Sequence, residues 1–147
     1  MTDVTFTVSL GDLDEDARLR GGAYVDRADA LRAAWLAGRG FDRAALAQAD
    51  LSAVVVRVEL DRQRDVAPGD TLTMTQEQVG LSSDGGRWVL RTTFTRADGL
   101  SAAQVTTTGG WLDARRRKVA RPPAGLAQAM AALPKAADWV PLAGAGG

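Results

Sequence analysis

The sequence predicts a two-layer α+β domain, with one long helix lying against a curved antiparallel sheet. Three observations predict it. A single stretch of helical period follows the first strand, the later segments alternate with period two, and Gly-containing tight turns separate them. The helix offers one apolar stripe and each strand one apolar face, so the two layers bury each other. The predicted order is β-α-β-β-β-β. The alternative is another α+β sandwich with the helix on an open sheet.

The first strand is read from Val4, Phe6, Val8 and Leu10, which alternate with Thr5, Thr7 and Ser9. An acidic stretch, Gly11 to Asp16, leads to Gly21-Gly22, a breaker pair before the helix. From Ala23 to about Gly38, Tyr24, Ala28, Leu31 and Trp35 recur at spacings of four, three and four, which places them on one helical stripe. A short helix from Phe41 to Ala49 follows, with Asp42 as its N-cap.

In the next segment Val54, Val56, Val58 and Leu60 are expected on one face of a strand. Pro68-Gly69-Asp70 is a turn, and Thr71 to Leu81 is extended, with Leu72 and Met74 sharing a face. Asp84-Gly85-Gly86 and Asp98-Gly99 mark two hairpins around the strand carrying Trp88, Leu90, Thr92 and Phe94. Leu100 to Asp113 is expected to be the last strand, with Gly109-Gly110 as a bulge or bend. Residues 1–121 form this domain, and residues 122–147 are expected to hold a short helix, stopped by Pro134, and a flexible tail.

The composition narrows the chemistry. With 147 residues, 46 % of them apolar, the chain can bury one core without staples. It contains no Cys and no His. Disulfides, thiolate nucleophiles, Cys/His zinc sites and His-based relays are thereby excluded, and no metal or other cofactor is expected. A general base must be a carboxylate, Lys, Tyr or bound water. Lys plus Arg equals Asp plus Glu at 18 each, which argues against a nucleic-acid partner that needs a basic surface. No apolar run approaches a membrane span and the N-terminus lacks an apolar signal core, so a soluble, cytoplasmic protein without a membrane partner is expected.

Gly11-Asp12-Leu13-Asp14, the Tyr24-bearing helix, Val54 to Glu59 and Pro68-Gly69-Asp70, in this order and spacing, resemble the 4-hydroxybenzoyl-CoA thioesterase family of hotdog-fold proteins. The resemblance covers roughly residues 4 to 113. It implies a hotdog fold and hydrolysis of an acyl-CoA or acyl-carrier-protein thioester, with polyketide or fatty acyl metabolism as the setting. It also implies a homodimer or homotetramer whose sheets join edge to edge. The chain departs from the family pattern at Ala17, Arg18, Arg20 and Gly21, where many members have Gly, His and Asn residues. Those positions border the acyl pocket in the family, so the resemblance carries the fold further than the substrate.

Within that resemblance, Asp14 is the catalytic acid, acting as nucleophile or as base toward water. Read by its residues alone, it is a solvated carboxylate or a turn cap. Gly21 takes the role of backbone donor to the thioester carbonyl, with Gly22 beside it, because a helix start carries unsatisfied N–H groups. By itself the pair is a turn. Arg18 and Arg20 are candidates for binding a substrate carboxylate, keto oxygen or phosphate, or for neutralising Asp12, Glu15 and Asp16. Tyr24 is a core residue that can also line the acyl pocket. Asp29 pairs with Arg32 on the helix, or serves as a helical acid as in a related branch of hotdog thioesterases. Arg115 to Lys118 is a solvated strand end or a contact for CoA phosphates or a carrier protein. Hydratase chemistry on this fold uses His, which the chain lacks. The remaining alternative is a non-catalytic acyl-binding or scaffold protein.

Overall fold

A computed structural model describes residues 4–144. Strand β1 (Val4–Thr7) leads through a 3-10 turn at Leu10–Asp12 to helix α1 (Gly21–Gly38). A short helix α2 (Arg43–Gln48) precedes strands β2 (Leu51–Arg62), β3 (Thr71–Ser82), β4 (Arg87–Thr95) and β5 (Ser101–Asp113). A two-residue strand β6 (Lys118–Val119), helix α3 (Ala124–Ala131) and strand β7 (Lys135–Leu142) complete the described chain. The main sheet runs β1-β3-β4-β5-β2, all antiparallel, and α1 packs on its concave face. This is the hotdog fold.

Period-two alternation explains the central strands. Trp88, Leu90, Thr92 and Phe94 of β4 are buried, as are Val105, Thr107 and Trp111 of β5. They meet α1 in two clusters, one around Tyr24, Ala28 and Phe94, the other around Leu36, Trp88 and Trp111. Of the predicted helical stripe, Tyr24 and Ala28 are buried, and Leu31 and Trp35 pack half-buried against the two clusters. Asp42 caps α2 as expected, accepting the Ala45 amide at 2.8 Å.

Strand β2 departs from its predicted alternation. Its register against β5 slips between Val55 and Arg57, so Val56 is an inserted residue. Val54 pairs with Gly110 and Val58 with Thr107, which puts them on opposite faces of the sheet. The bulge predicted at Gly109-Gly110 therefore sits across from it, on β2. Gly109 has a different purpose. A β-carbon there would lie 2.5 Å from the Val54 carbonyl oxygen and 2.6 Å from the Trp88 ring. Only glycine permits that approach.

Two further expectations change. Gly21-Gly22 does not break the chain before α1 but forms its first turn, with Arg20 in the N-cap position. The stretch after Arg121 holds the expected short helix as α3, and beyond Pro134 it continues as a strand. Leu126, Met130 and Leu133 join the Trp88–Trp111 cluster, and β7 pairs parallel with the second half of β3. A buried side chain holds this segment. Gln78 Nε2 donates to the carbonyls of Met130, Ala131 and Leu133 at 3.3, 3.1 and 2.7 Å, and Gln78 Oε1 accepts the Trp139 indole N–H at 2.9 Å. The C-terminal carbonyls of α3 thus find their partner on β3. Leu142, where the tail was expected to begin, closes β7, and residues 145–147 lie outside the described region. Among the described residues, no helix is long and apolar enough to cross a membrane.

Candidate active site

The site is organised by a short arm that folds back on itself before α1. Asp12 starts it as the far end of a capping box, its Oδ2 accepting from the Ser9 amide and hydroxyl at 3.2 and 2.9 Å. The chain then reverses around Asp14 to Arg18. The Asp14 amide donates to the Arg18 carbonyl at 2.7 Å, Leu13 bridges Leu19, and the Arg20 amide donates to the Asp12 carbonyl at 2.9 Å. Ala17 takes a left-handed conformation, φ 60°, to close the turn. Leu19, 2 % exposed, nails the arm to the core.

Asp14 has two faces in this arrangement. Its Oδ1 accepts the Asp16 and Arg18 amides at 2.9 and 3.0 Å, so the turn-cap reading describes one oxygen. Oδ2 makes no hydrogen bond to a described residue. The amide bond from Arg18, together with the charges of Arg62 and Arg18, holds the carboxyl below its ordinary range, so it is ionised at neutral pH.

Helix α1 begins three residues beyond Arg18. No side chain caps it and its first turn carries no acidic residue. The Ala23 and Tyr24 amides turn back to the Arg20 carbonyl, while the Gly21 and Gly22 amides have no acceptor among the described residues. Two donors without an acceptor therefore stand at the positive end of the helix dipole. Within the arm, Asp14 pairs with Arg18, and the chain enters the helix three residues further on.

Beside the helix start lies a polar hollow of about 230 Å³, lined by Arg18, Leu19, Tyr24, Arg62, Gln63, Arg64, Asp65 and Val66. Of the predicted site residues, Arg18 and Tyr24 line it; Asp14 does not. Arg20 turns away, its guanidinium donating to the Leu13 and Gly11 carbonyls at 3.2 and 2.7 Å, which ties the arm together. Asp29 pairs with Arg32 at 2.9 Å and lines a separate groove along α1 and α2. Gly22 has open space around it, whereas Gly21 packs closely against Leu60 and Arg62 of β2. Arg62 and Arg64 were not singled out by the sequence. Their only signal was the alternation of charge at the end of β2, which looks like an ordinary solvated strand end. Among the described residues, no three carboxylates gather closely enough to hold a metal ion.

The architecture and the helix-start donors define a hotdog-fold protein of the thioesterase type. Residues 8–130 match the model of the thioesterase-like superfamily, and the chain belongs to that family. No curated protein matches it. Among solved structures, a Staphylococcus aureus protein in complex with CoA is 16 % identical, with a TM-score of 0.80 over 88 % of this chain and 80 % of that one. A 1,4-dihydroxy-2-naphthoyl-CoA thioesterase from Synechocystis is 16 % identical, TM-score 0.77, over 89 % and 96 %. The probable thioesterase YbaW from Escherichia coli is 18 % identical, TM-score 0.72, over 88 % and 96 %. At these identities the likeness concerns the fold.

Proposed function

We propose that the chain hydrolyses acyl-CoA thioesters at the start of α1, with Asp14 as the attacking or water-activating carboxylate. One observation supports this reading: among the described residues, the Gly21 and Gly22 amides at the uncapped helix start have no acceptor, and the arm leading into that start carries an ionised aspartate with one oxygen unbonded. The thioester oxygen accepts from the two amides, which favour the negative charge that develops on it. Asp14 Oδ2 either attacks the carbonyl carbon or takes a proton from the water that does. In the first case an acyl–Asp14 anhydride forms as the C–S bond breaks, water then cleaves the anhydride to the free acid and the carboxylate, and one of the protons released goes to the CoA thiolate. In the second the water oxygen bonds to the carbonyl carbon, the C–S bond breaks, and the proton held by Asp14 passes to the departing sulfur. The CoA bound to one structural neighbour and the CoA thioester named for another favour CoA as the carrier. An acyl carrier protein and a polyketide setting rest on the family resemblance alone.

The working unit is a dimer joined through β2. That strand is twelve residues long, lies at the end of the main sheet, and exposes Val55, Val56 and Val58 at 40 %, 73 % and 41 %. Long apolar edges left open invite pairing. A groove of about 890 Å³ beside it, between α1, α2 and β2, is lined by Leu36, Phe41 and Leu46 and widens the surface a second copy would cover. The basic turn after β5 has a weaker claim on phosphates, since Arg115 pairs with Asp50 at 3.1 Å and Asp113 caps the Arg115 and Arg116 amides.

Free-thiol release from a panel of acyl-CoAs and acyl-carrier thioesters tests the reading. Turnover that falls by about 100-fold or more in Asp14→Asn is expected for an acid-base or nucleophilic group. Tight acyl-CoA binding with no thiol release from any substrate would instead establish the acyl-binding scaffold.

A further inference from the structure

The hollow beside α1 is lined by polar groups that hydrolysis alone does not use. Tyr24 is 2 % exposed and its ring packs edge-on against Phe94 at 5.0 Å, yet its hydroxyl forms no hydrogen bond with any described residue. The hydroxyl is not among the sealed-off polar atoms of the fold, so it opens onto the space beside it. It belongs to the wall of the hollow, where Arg62 and Asp65 are the charges it senses. Burial pushes its ionisation up, so at neutral pH it is a neutral donor.

The same wall holds an excess of positive charge. In the lining Arg18, Arg62 and Arg64 face the carboxylate of Asp65, and the Asp14 carboxylate lies outside the lining but within reach of the Arg62 and Arg18 charges. Arg64 is tethered, donating to the Ser101 carbonyl at 2.8 Å. Neither Arg18 nor Arg62 has an ion-pair or hydrogen-bond partner for its guanidinium among the described residues. Two unpartnered guanidinium forks and an unpartnered phenol therefore border one small space. A planar oxyanion satisfies all three.

We propose that this hollow receives a carboxylate carried by the acyl group itself, so that the preferred substrates are thioesters of short dicarboxylic acids. The proposal rests on the thioester-hydrolysis reading for its location. At about 230 Å³ the hollow is smaller than the ~300–1,000 Å³ that enclose a whole drug-sized ligand. It accommodates a short acyl arm and its terminal carboxylate, not a nucleotide. Its position agrees. Arg62 lies against Gly21 and within the field of Asp14, beside the carbon under attack. The phosphates of CoA are separated from that carbon by the whole pantetheine arm.

The test compares succinyl-CoA with butyryl-CoA, which match in chain length and differ in the terminal carboxylate. The expected kcat/KM ratio is about tenfold or more in favour of succinyl, expressed mainly in KM. Arg62→Gln and Tyr24→Phe bring the ratio close to one. Tyr24→Phe keeps the melting temperature, because the lost hydroxyl bonds no protein group. A ratio near one in the unaltered protein, or one that neither substitution moves, overturns the proposal.

The same two acyl groups on N-acetylcysteamine, which has no phosphate, locate the anion. A preference that persists supports the acyl carboxylate. If it vanishes there while Arg62→Gln weakens both CoA substrates equally, the hollow reads a CoA phosphate and the proposal falls. Should no thioester be hydrolysed at all, the thioesterase reading fails separately, and calorimetric binding decides the hollow. Tighter binding of succinyl-CoA than butyryl-CoA, lost in Arg62→Gln, upholds the carboxylate site; equal binding overturns it.

Discussion

Arg62 Nη2 lies 3.1 Å from the point that a β-carbon on Gly21 would occupy. The end of β2 and the start of α1 therefore meet at the amide proposed to polarise the substrate. Leu60 Cδ2 crowds the same point at 3.1 Å. Both neighbours are ends of flexible side chains and can yield by a few tenths of an ångström. Gly21→Ala is accordingly expected to shift the melting temperature by only about 3 °C or less, with thiol release reduced severalfold as Arg62 and the approach to the amide are displaced. Thermal melts alongside steady-state kinetics check this.

The pH response of Asp14 has a definite sign. Its folded carboxyl is held below the ordinary value of 3.8, first by the Arg18 amide. Such a group lends stability above its unfolded pKa and loses it as pH falls through the folded one. If the ionised form is the attacker, kcat/KM stays level through the ordinary carboxylate range and declines only below it. A pH-rate profile with its acidic limb at or above pH 5 would assign the reaction to another group.

Gln78 offers a test of how the C-terminal segment is held. Gln78→Leu strands the carbonyls of Ala131 and Leu133 and the indole of Trp139, while the Met130 carbonyl keeps the Leu133 amide. Unpartnered buried groups of this kind cost about 3 kcal/mol in total, which lowers the melting temperature by roughly 6 to 12 °C. Limited proteolysis is expected to cut first between α3 and β7. An unchanged melt would mean that apolar contacts of Leu126 and Met130 hold the segment unaided.

The β2 edge predicts assembly. Val56→Lys places a charge on its most exposed apolar residue, a device natural edges use to block pairing. Light scattering is expected to show a dimer for the unaltered chain and a monomer for the variant. Thiol release by the monomer at the unaltered rate would locate the whole site within one chain.

Much of the architecture was legible because it follows from local pattern. Alternation marked β3, β4 and β5, a helical stripe marked α1, and Asp42 announced the start of α2. Strand β7 was hidden by Pro141 and by weak alternation; it forms because Gln78 and β3 supply its partners. The bulge at Val56 was hidden in a run of valines whose pattern allows either register. In the site, Asp14 and the two glycines stood out through a family resemblance. Arg62 and Arg64 did not, because a charged strand end carries no sign of what the fold sets beside it.

The sequence by itself determined the class of fold and the absence of His and Cys chemistry, since these depend on residue type and short-range period. Tertiary structure alone decided which groups converge. The folded-back arm spends Arg20 on Gly11 and Leu13, leaves Arg18 free, and brings β2 across to α1 so that Arg62 stands near Tyr24. Residues 18, 24 and 62 are joined only by the packing of a strand against a helix, and no local pattern encodes that distance.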